Sequence, residues 1–271
     1  MAHQDVNERK DKILDIIVRS YIDTAEPVGS RTISRHYNLG LSPASIRNVM
    51  ADLEEQGLLK QPHTSAGRIP SDKGYRYWVD CLMKPEEMRD KEKEWILREL
   101  GKARTIEGLA EKVSKVISEL TDNAALIYIR SLKRVSFLTH LLEELVKAER
   151  LGDFLEEESE LFIEGAFRMF EQPEFQDIHK MRLFLQAFDE KEDFLQIFLK
   201  DLYEEGVQVH IGKESGLGDL EDVSLVVKDW YLGDHPIGGV AVVGPTRMRY
   251  AKVVSVVDFV ADSVSEITEK F

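Results

Sequence analysis

The stretch SPASIRNVMADLEEQGLLKQPHTSAGRIPS, residues 42–71, constrains the fold more than any other part of the chain. Ser42 is a good N-cap, and Pro43 stands at the first helical position, where its missing N–H costs no bond. Ile46, Val49, Met50 and Leu53 recur at i, i+3, i+4 and i+7 and form one apolar stripe. Gly57 stops the helix. LLKQPHTSAGRIP then reads as two short extended arms about a turn at 65–67, where Gly67 lets the tip turn tightly. Ser71 caps a further helix, SDKGYRYWVDCLM.

Two helices precede this unit. Ile13, Ile16, Ile17 and Tyr21 recur at helical spacing and predict a helix over roughly residues 8–24. AEPVGS breaks it, and Ser30 is expected to cap a short helix, SRTISRHY, that ends near Asn38–Gly40. The resulting order is helix, helix, tight turn, helix, two-armed loop, helix. That is the order of a winged helix-turn-helix.

Charge supports a separate role for this region. The whole chain has a formal net charge of -14, yet residues 1–80 hold 11 basic and 11 acidic side chains and are neutral. A neutral domain with a basic face can meet phosphate, because the local field matters more than the total. On DNA, the N-terminal part of the third helix would meet base edges, through Ser42, Ser45, Arg47 and Asn48. Arginine pairs in bidentate fashion with guanine and asparagine with adenine. Ser30, Arg31 and Thr32 would lie near phosphates, and Lys60 would contact them too. His63, Thr64, Ser65 and Arg68 of the wing would reach backbone or minor groove, with Arg68 also a candidate for groove contact. Winged helices also serve as protein–protein modules, so pattern alone leaves a scaffold reading open. Tyr75, Tyr77 and Trp78 are read as packing residues rather than base-stacking ones.

KPEEMRDKEKEW is a charged break around Pro85, and a long helix is expected from about 90 to 121. AALIYI (124–129), VQVHI, SLVVKDWYL and IGGVAVVG read as strands, and 137–205 as mostly helical and acidic. Thr246 is expected to cap the last helix, and GPTRMRY is read as a strand-to-helix turn with surface arginines rather than a partner contact. The division expected is 1–84 for the DNA-binding domain, 85–105 for a linking helix and 106–271 for the second, mixed α and β domain. GKESGLGDL lacks the Lys-Ser/Thr ending of a phosphate-binding loop and reads as a surface loop. The acidic runs near 142–160 and 189–193 read as solvated helix faces. The seven histidines are scattered and Cys81 is alone, so no metal site, cofactor or enzyme activity is expected. No apolar run is long enough to cross a bilayer, and the lone cysteine fits a reducing compartment, so a cytoplasmic protein is expected.

LSPASIRNVMADLEEQGLLKQPHTSAGRIPSDKGYRYWVD resembles the HrcA family of bacterial heat-inducible transcription repressors, above all in PHTSAGR and in the Lys-Gly-Tyr-Arg that follows. LFIEGAFRMFEQPEF (161–175), GVQVHIGKES (206–215) and GGVAVVGPTRMRYAKVVSVVDFVA (238–261) resemble the family's C-terminal half. The resemblance implies an α+β protein with an N-terminal winged helix followed by a GAF-like mixed α/β domain that carries an inserted dimerisation segment, within 106–271. It implies a homodimer that binds double-stranded DNA at an inverted-repeat operator, CIRCE, upstream of chaperone genes, and depends on the GroEL-type chaperonin for activity. The chain is shorter than the family pattern, and the shortening is placed around 136–161. A second reading keeps the DNA-binding part but gives the GAF-like domain a small metabolite to sense.

Overall fold

A computed structural model describes residues 2–64, 66–130, 159–190, 192–201, 204–233 and 235–269. It is an α+β structure that divides into two compact units, Met1–Pro85 with Thr246–Ala251, and Glu86–Pro245 with Lys252–Phe271.

The first unit opens with α1 (Ala2–Thr24), which buries Ile13, Leu14, Ile17 and Val18 completely. The helix starts earlier than the apolar spacing alone indicates, because its first turns are polar. α2 (Ser30–His36) and α3 (Pro43–Glu55) follow. The expected stripe of α3 packs inward through Ile46, Met50 and Leu53. β1 (Leu59–Lys60) and β2 (Ile69–Pro70) pair antiparallel, Leu59 opposite Pro70 and Lys60 opposite Ile69. α4 (Asp72–Tyr77) runs on into a π-helical turn at Trp78–Leu82.

Ser30 does not cap α2. Gly29 holds that position without a side-chain bond, and Ser30 is the first helical residue and is buried. Thr246 does not cap the last helix either, which begins at Tyr250; Thr246 instead lends its carbonyl to the Tyr250 hydroxyl at 2.9 Å.

The second unit is built on a five-stranded antiparallel sheet. Its strands are β3 (Ala124–Arg130), β4 (Ser159–Glu164), β5 (Gln208–His210), β6 (Val223–Leu232) and β7 (His235–Pro245), in the order β4-β3-β7-β6-β5. The four apolar runs read as strands form β3, β5, β6 and β7. Strand β4 falls where helix was expected. It pairs along β3, Ile127 opposite Phe162, and sends Leu161 and Ile163 to the core, a long-range pairing that an acidic local context hides.

The long helix expected from 90 to 121 is two, α5 (Asp90–Leu100) and α6 (Ile106–Thr121). The break falls at Gly101–Thr105, where Thr105 caps α6 by accepting from the Gly108 amide at 3.1 Å. α7 (Ala166–Phe170), α8 (Ile178–Glu190) and α9 (Glu192–Asp201) lie between β4 and β5, and α10 (Tyr250–Thr268) closes the chain.

Both faces of the sheet are buried, which is why β6 and β7 read as nearly continuous apolar runs rather than alternating ones. On one face Leu126, Tyr128, Leu225, Val227, Ala241 and Val243 pack with Met169, Phe175, Phe184, Phe188, Phe194 and Phe198 of the α7–α9 region. From the other face Lys228 reaches Asp258 and Asp262 of α10 at 2.7 and 2.5 Å. Burial of Lys228 works against its charge, but the two carboxylates outweigh it and hold its pKa above the usual lysine value. The Gly-rich segment read as a surface loop instead sends Leu217 and Leu220 into the core. The expected shortening around 136–161 and the acidic run near 142–160 lie almost wholly outside the described residues; the run near 189–193 falls at the end of α8 and the start of α9, as the helix expected there, with residue 191 outside the described residues.

Candidate nucleic-acid interface

The N-terminal end of α3 is fixed before anything binds to it. The Ser42 hydroxyl accepts from the Ser45 amide at 3.1 Å and lies 2.9 Å from the Ser45 hydroxyl. Ser42, Ala44, Ser45, Arg47 and Asn48 are all exposed, while Ile46 between them is completely buried. Anchoring one side of the first turn therefore aims the other side outward. That side carries small polar groups, a cation and an amide at the positive end of a helix dipole. On α2, Arg31 and Thr32 are exposed; Ser30 is buried and unavailable to a large ligand. Arg35 and His36, which sequence reasoning did not select, are exposed in the last turn of α2.

Lys60, His63 and Thr64 are exposed on the β1–β2 loop, and Ser65 lies outside the described residues. Arg68 behaves differently from the expectation. Its guanidinium pairs with Glu54 of α3, Nε and Nη2 both meeting Oε2, at 2.9 and 2.8 Å, and its side chain is only 20% exposed. Arg68 thus ties the loop to the third helix instead of reaching outward. The signal for this was Glu54 itself, an acid at the far end of α3, but the pairing needs the fold to bring residues 14 apart together.

Gly67 also has a different role from the one expected. Its backbone is not in the left-handed region. A Cβ at Gly67 would stand 2.5 Å from the Val28 carbonyl carbon and 2.9 Å from the Gly29 nitrogen. The glycine lets the loop lie directly against the chain before α2, where Val28 and Arg68 exchange two backbone hydrogen bonds of 2.9 Å. Gly74 does the same for α4, since a Cβ there would press on the Leu58 carbonyl. Ser71 caps α4 by accepting from the Gly74 amide at 3.0 Å and donates to the Gly57 carbonyl at 2.5 Å. The Gly, Arg, Ser and Gly of SAGRIPSDKG are accordingly joints between the loop and the helices.

Electrostatics sharpen this face. Two of the three acids in the C-terminal half of α3 are engaged within the unit: Asp52 pairs with Lys10 at 3.2 Å and Glu54 with Arg68, while Glu55 is exposed. That leaves the cations Arg31, Arg35, Arg47 and Lys60 exposed around the helix start and the loop. The aromatic group after the loop is packing, as expected. Tyr75 and Trp78 are buried, the Trp78 indole donates to Asp15 at 2.7 Å, and the Tyr77 hydroxyl donates to Asp11 at 2.9 Å. The Asp11 hydrogen bond, together with burial, raises the Tyr77 pKa above the usual tyrosine value. The turn before α10 is likewise used inside the unit, with Arg247 donating to the Ile22 carbonyl and Arg249 meeting Asp23, each at 3.3 Å.

Among the described residues no group of three or more His, Cys, Asp or Glu is placed to hold a metal ion. No helix among them is long and apolar enough to cross a membrane.

The family model for the HrcA protein C-terminal domain matches residues 129–254. A curated relative from Symbiobacterium thermophilum, named Heat-inducible transcription repressor HrcA, is 35% identical over 340 residues, with 98% of this chain and 100% of the relative covered. A relative of the same name from Pelotomaculum thermopropionicum is 34% identical, with 98% and 97% covered. These alignments are longer than the chain's 271 residues, so they pass over positions that the chain does not have. In fold, the chain is similar to a crystal structure described as a hypothetical protein, with a TM-score of 0.70 at 22% identity, covering 97% of this chain and 98% of that one. The two curated relatives, 35% and 34% identical over nearly their whole length and that of this chain, place it with regulators rather than enzymes: it belongs to the HrcA family of heat-inducible transcription repressors.

Proposed function

We propose that this protein represses chaperone genes by binding an inverted-repeat operator as a homodimer through its N-terminal unit, used as a winged helix. The observation that carries the reading is the outward face of α3. Its first turns expose Ser42, Ser45, Arg47 and Asn48 on a helix anchored from behind, flanked by exposed cations, in a region of zero net charge within an acidic chain. Arg47 and Asn48 are the proposed base readers, with Ser42 and Ser45 beside them. Arg31, Thr32 and Lys60 are proposed for phosphate, and His63, Thr64 and Ser65 for backbone or minor groove at the loop tip. Arg68 is reassigned from groove contact to positioning, because Glu54 holds it. Ser30 is withdrawn from the set because it is buried.

Two-fold symmetry of the dimer would mirror that of the operator. The second unit, taken as GAF-like, is proposed to carry dimerisation, with a GroEL-type chaperonin as the partner that keeps the repressor active. Both roles come from the family resemblance. The protein would work in the cytoplasm, beside the DNA it controls.

The test is a fluorescence anisotropy titration on a duplex carrying the inverted repeat and on a scrambled duplex of equal length, at several salt concentrations. Binding that is tight on the repeat alone and weakens steeply with salt supports the reading. Equal, weak binding to both duplexes refutes it.

A further inference from the structure

The loop between β1 and β2 is held by more than its strands. Each strand is only two residues long, and an isolated two-stranded ladder is marginal in water. At its base the loop is fixed by the Val28–Arg68 backbone pair and by the Arg68–Glu54 ion pair. At its tip a turn closes with the Ala66 amide donating to the His63 carbonyl at 2.9 Å. One side chain joins the two levels. The Gln61 amide nitrogen donates to the Thr64 carbonyl and to the Ala66 carbonyl, each at 3.0 Å. A primary amide carries two hydrogens on one nitrogen, so that single nitrogen can satisfy both acceptors, and without a charge. A methionine of similar length can satisfy neither.

We propose that Gln61 is a positioning residue for nucleic-acid recognition, presetting the loop tip so that His63 and Thr64 meet the duplex without first having to be ordered; this rests on the DNA-binding reading above. His63 and Thr64 are exposed and shield no core, so ordering them contributes little to the stability of the unit. Its order matters to whatever the tip touches. A loose tip can make the same contacts, but binding must then supply the lost conformational freedom. Gln61 brings no charge to a phosphate, which separates its effect from that of Lys60.

The experiment compares the full-length wild type with Gln61→Met and Gln61→Ala in three readouts: anisotropy on the inverted-repeat duplex across salt, thermal unfolding, and amide hydrogen exchange at Ala66. Both variants are expected to bind about 3–10-fold more weakly, as loss of preorganisation predicts. The salt slope should be unchanged, because no phosphate contact is lost. The unfolding midpoint should also hold, while exchange at Ala66 quickens. Unchanged affinity, or unchanged exchange at Ala66, overturns the proposal. So does a fall in unfolding midpoint that tracks the affinity loss, which would make Gln61 a residue of general stability. A shallower salt slope overturns it too, since Gln61 would then support a phosphate contact itself. If the wild type ignores both duplexes, the DNA-binding reading fails and this role fails with it, whereas wild-type binding with indifferent variants condemns the positioning role alone.

Discussion

Replacing Gly67 by alanine tests the claim that this glycine is a joint. The added Cβ would stand 2.5 Å from the Val28 carbonyl carbon and 2.9 Å from the Gly29 nitrogen, both of them backbone atoms that cannot swing away. Relief requires the loop to lift from the chain before α2, which breaks the reciprocal Val28–Arg68 pair. Two backbone hydrogen bonds are worth about 1 kcal/mol each, and stranding their groups near the core adds to that, so the cost is about 2–4 kcal/mol. Gly40 provides the contrast. It has a φ of 66° and nothing within 4 Å of its would-be Cβ, so Gly40→Ala should cost only about 1 kcal/mol, for the left-handed backbone alone. The assay is urea denaturation of both variants, joined to amide exchange at Val28 and Arg68. Gly67→Ala should shift the midpoint more and expose both amides, and it should weaken duplex binding because the loop is no longer docked. A Gly67→Ala protein with a wild-type midpoint and protected Val28 and Arg68 amides would refute the reasoning and return Gly67 to a simple turn role.

Other outcomes follow from single contacts. Arg47→Ala should lose about 1–3 kcal/mol of binding to the inverted repeat and relax base preference, read by anisotropy on base-substituted duplexes; equal loss on every sequence would make it a phosphate contact. Ser42→Ala removes the cap on α3 and should cost about 1 kcal/mol in urea denaturation, in the range of measured caps. Lys228→Met should destabilise the second unit in thermal unfolding at pH 7, because it removes both bonds to α10. The pH dependence has a defined sign. The folded-state pKa of Lys228 is raised, so its contribution is fully present below the unfolded value of 10.5 and is lost as pH rises through the higher folded value. The gap between wild type and Lys228→Met should therefore close only in strongly alkaline solution.

The local elements of the first unit can be read directly from the order of the residues. Ser42, Pro43 and the stripe through Ile46, Met50 and Leu53 specify α3 because caps and periodicity act over a few neighbouring residues. Four of the five strands of the sheet were legible for the same reason, as apolar runs set off by Gly and Asp. Exposure of Arg47 and Asn48 followed from the stripe, since what does not face inward faces out.

Tertiary structure decided everything that depends on distant residues meeting. Arg68 read as a free cation until the fold set it against Glu54, and Gly67 read as a turn former until the fold set it against Val28. Ser30 looked like a cap until packing buried it. Strand β4 became a strand through its pairing with β3 and not through its own composition. A side chain's chemistry is fixed by its type, but whether it points at a partner, a solvent or a neighbouring backbone is set by which surfaces the chain brings together, and that information is spread over the whole sequence rather than held in any one stretch of it.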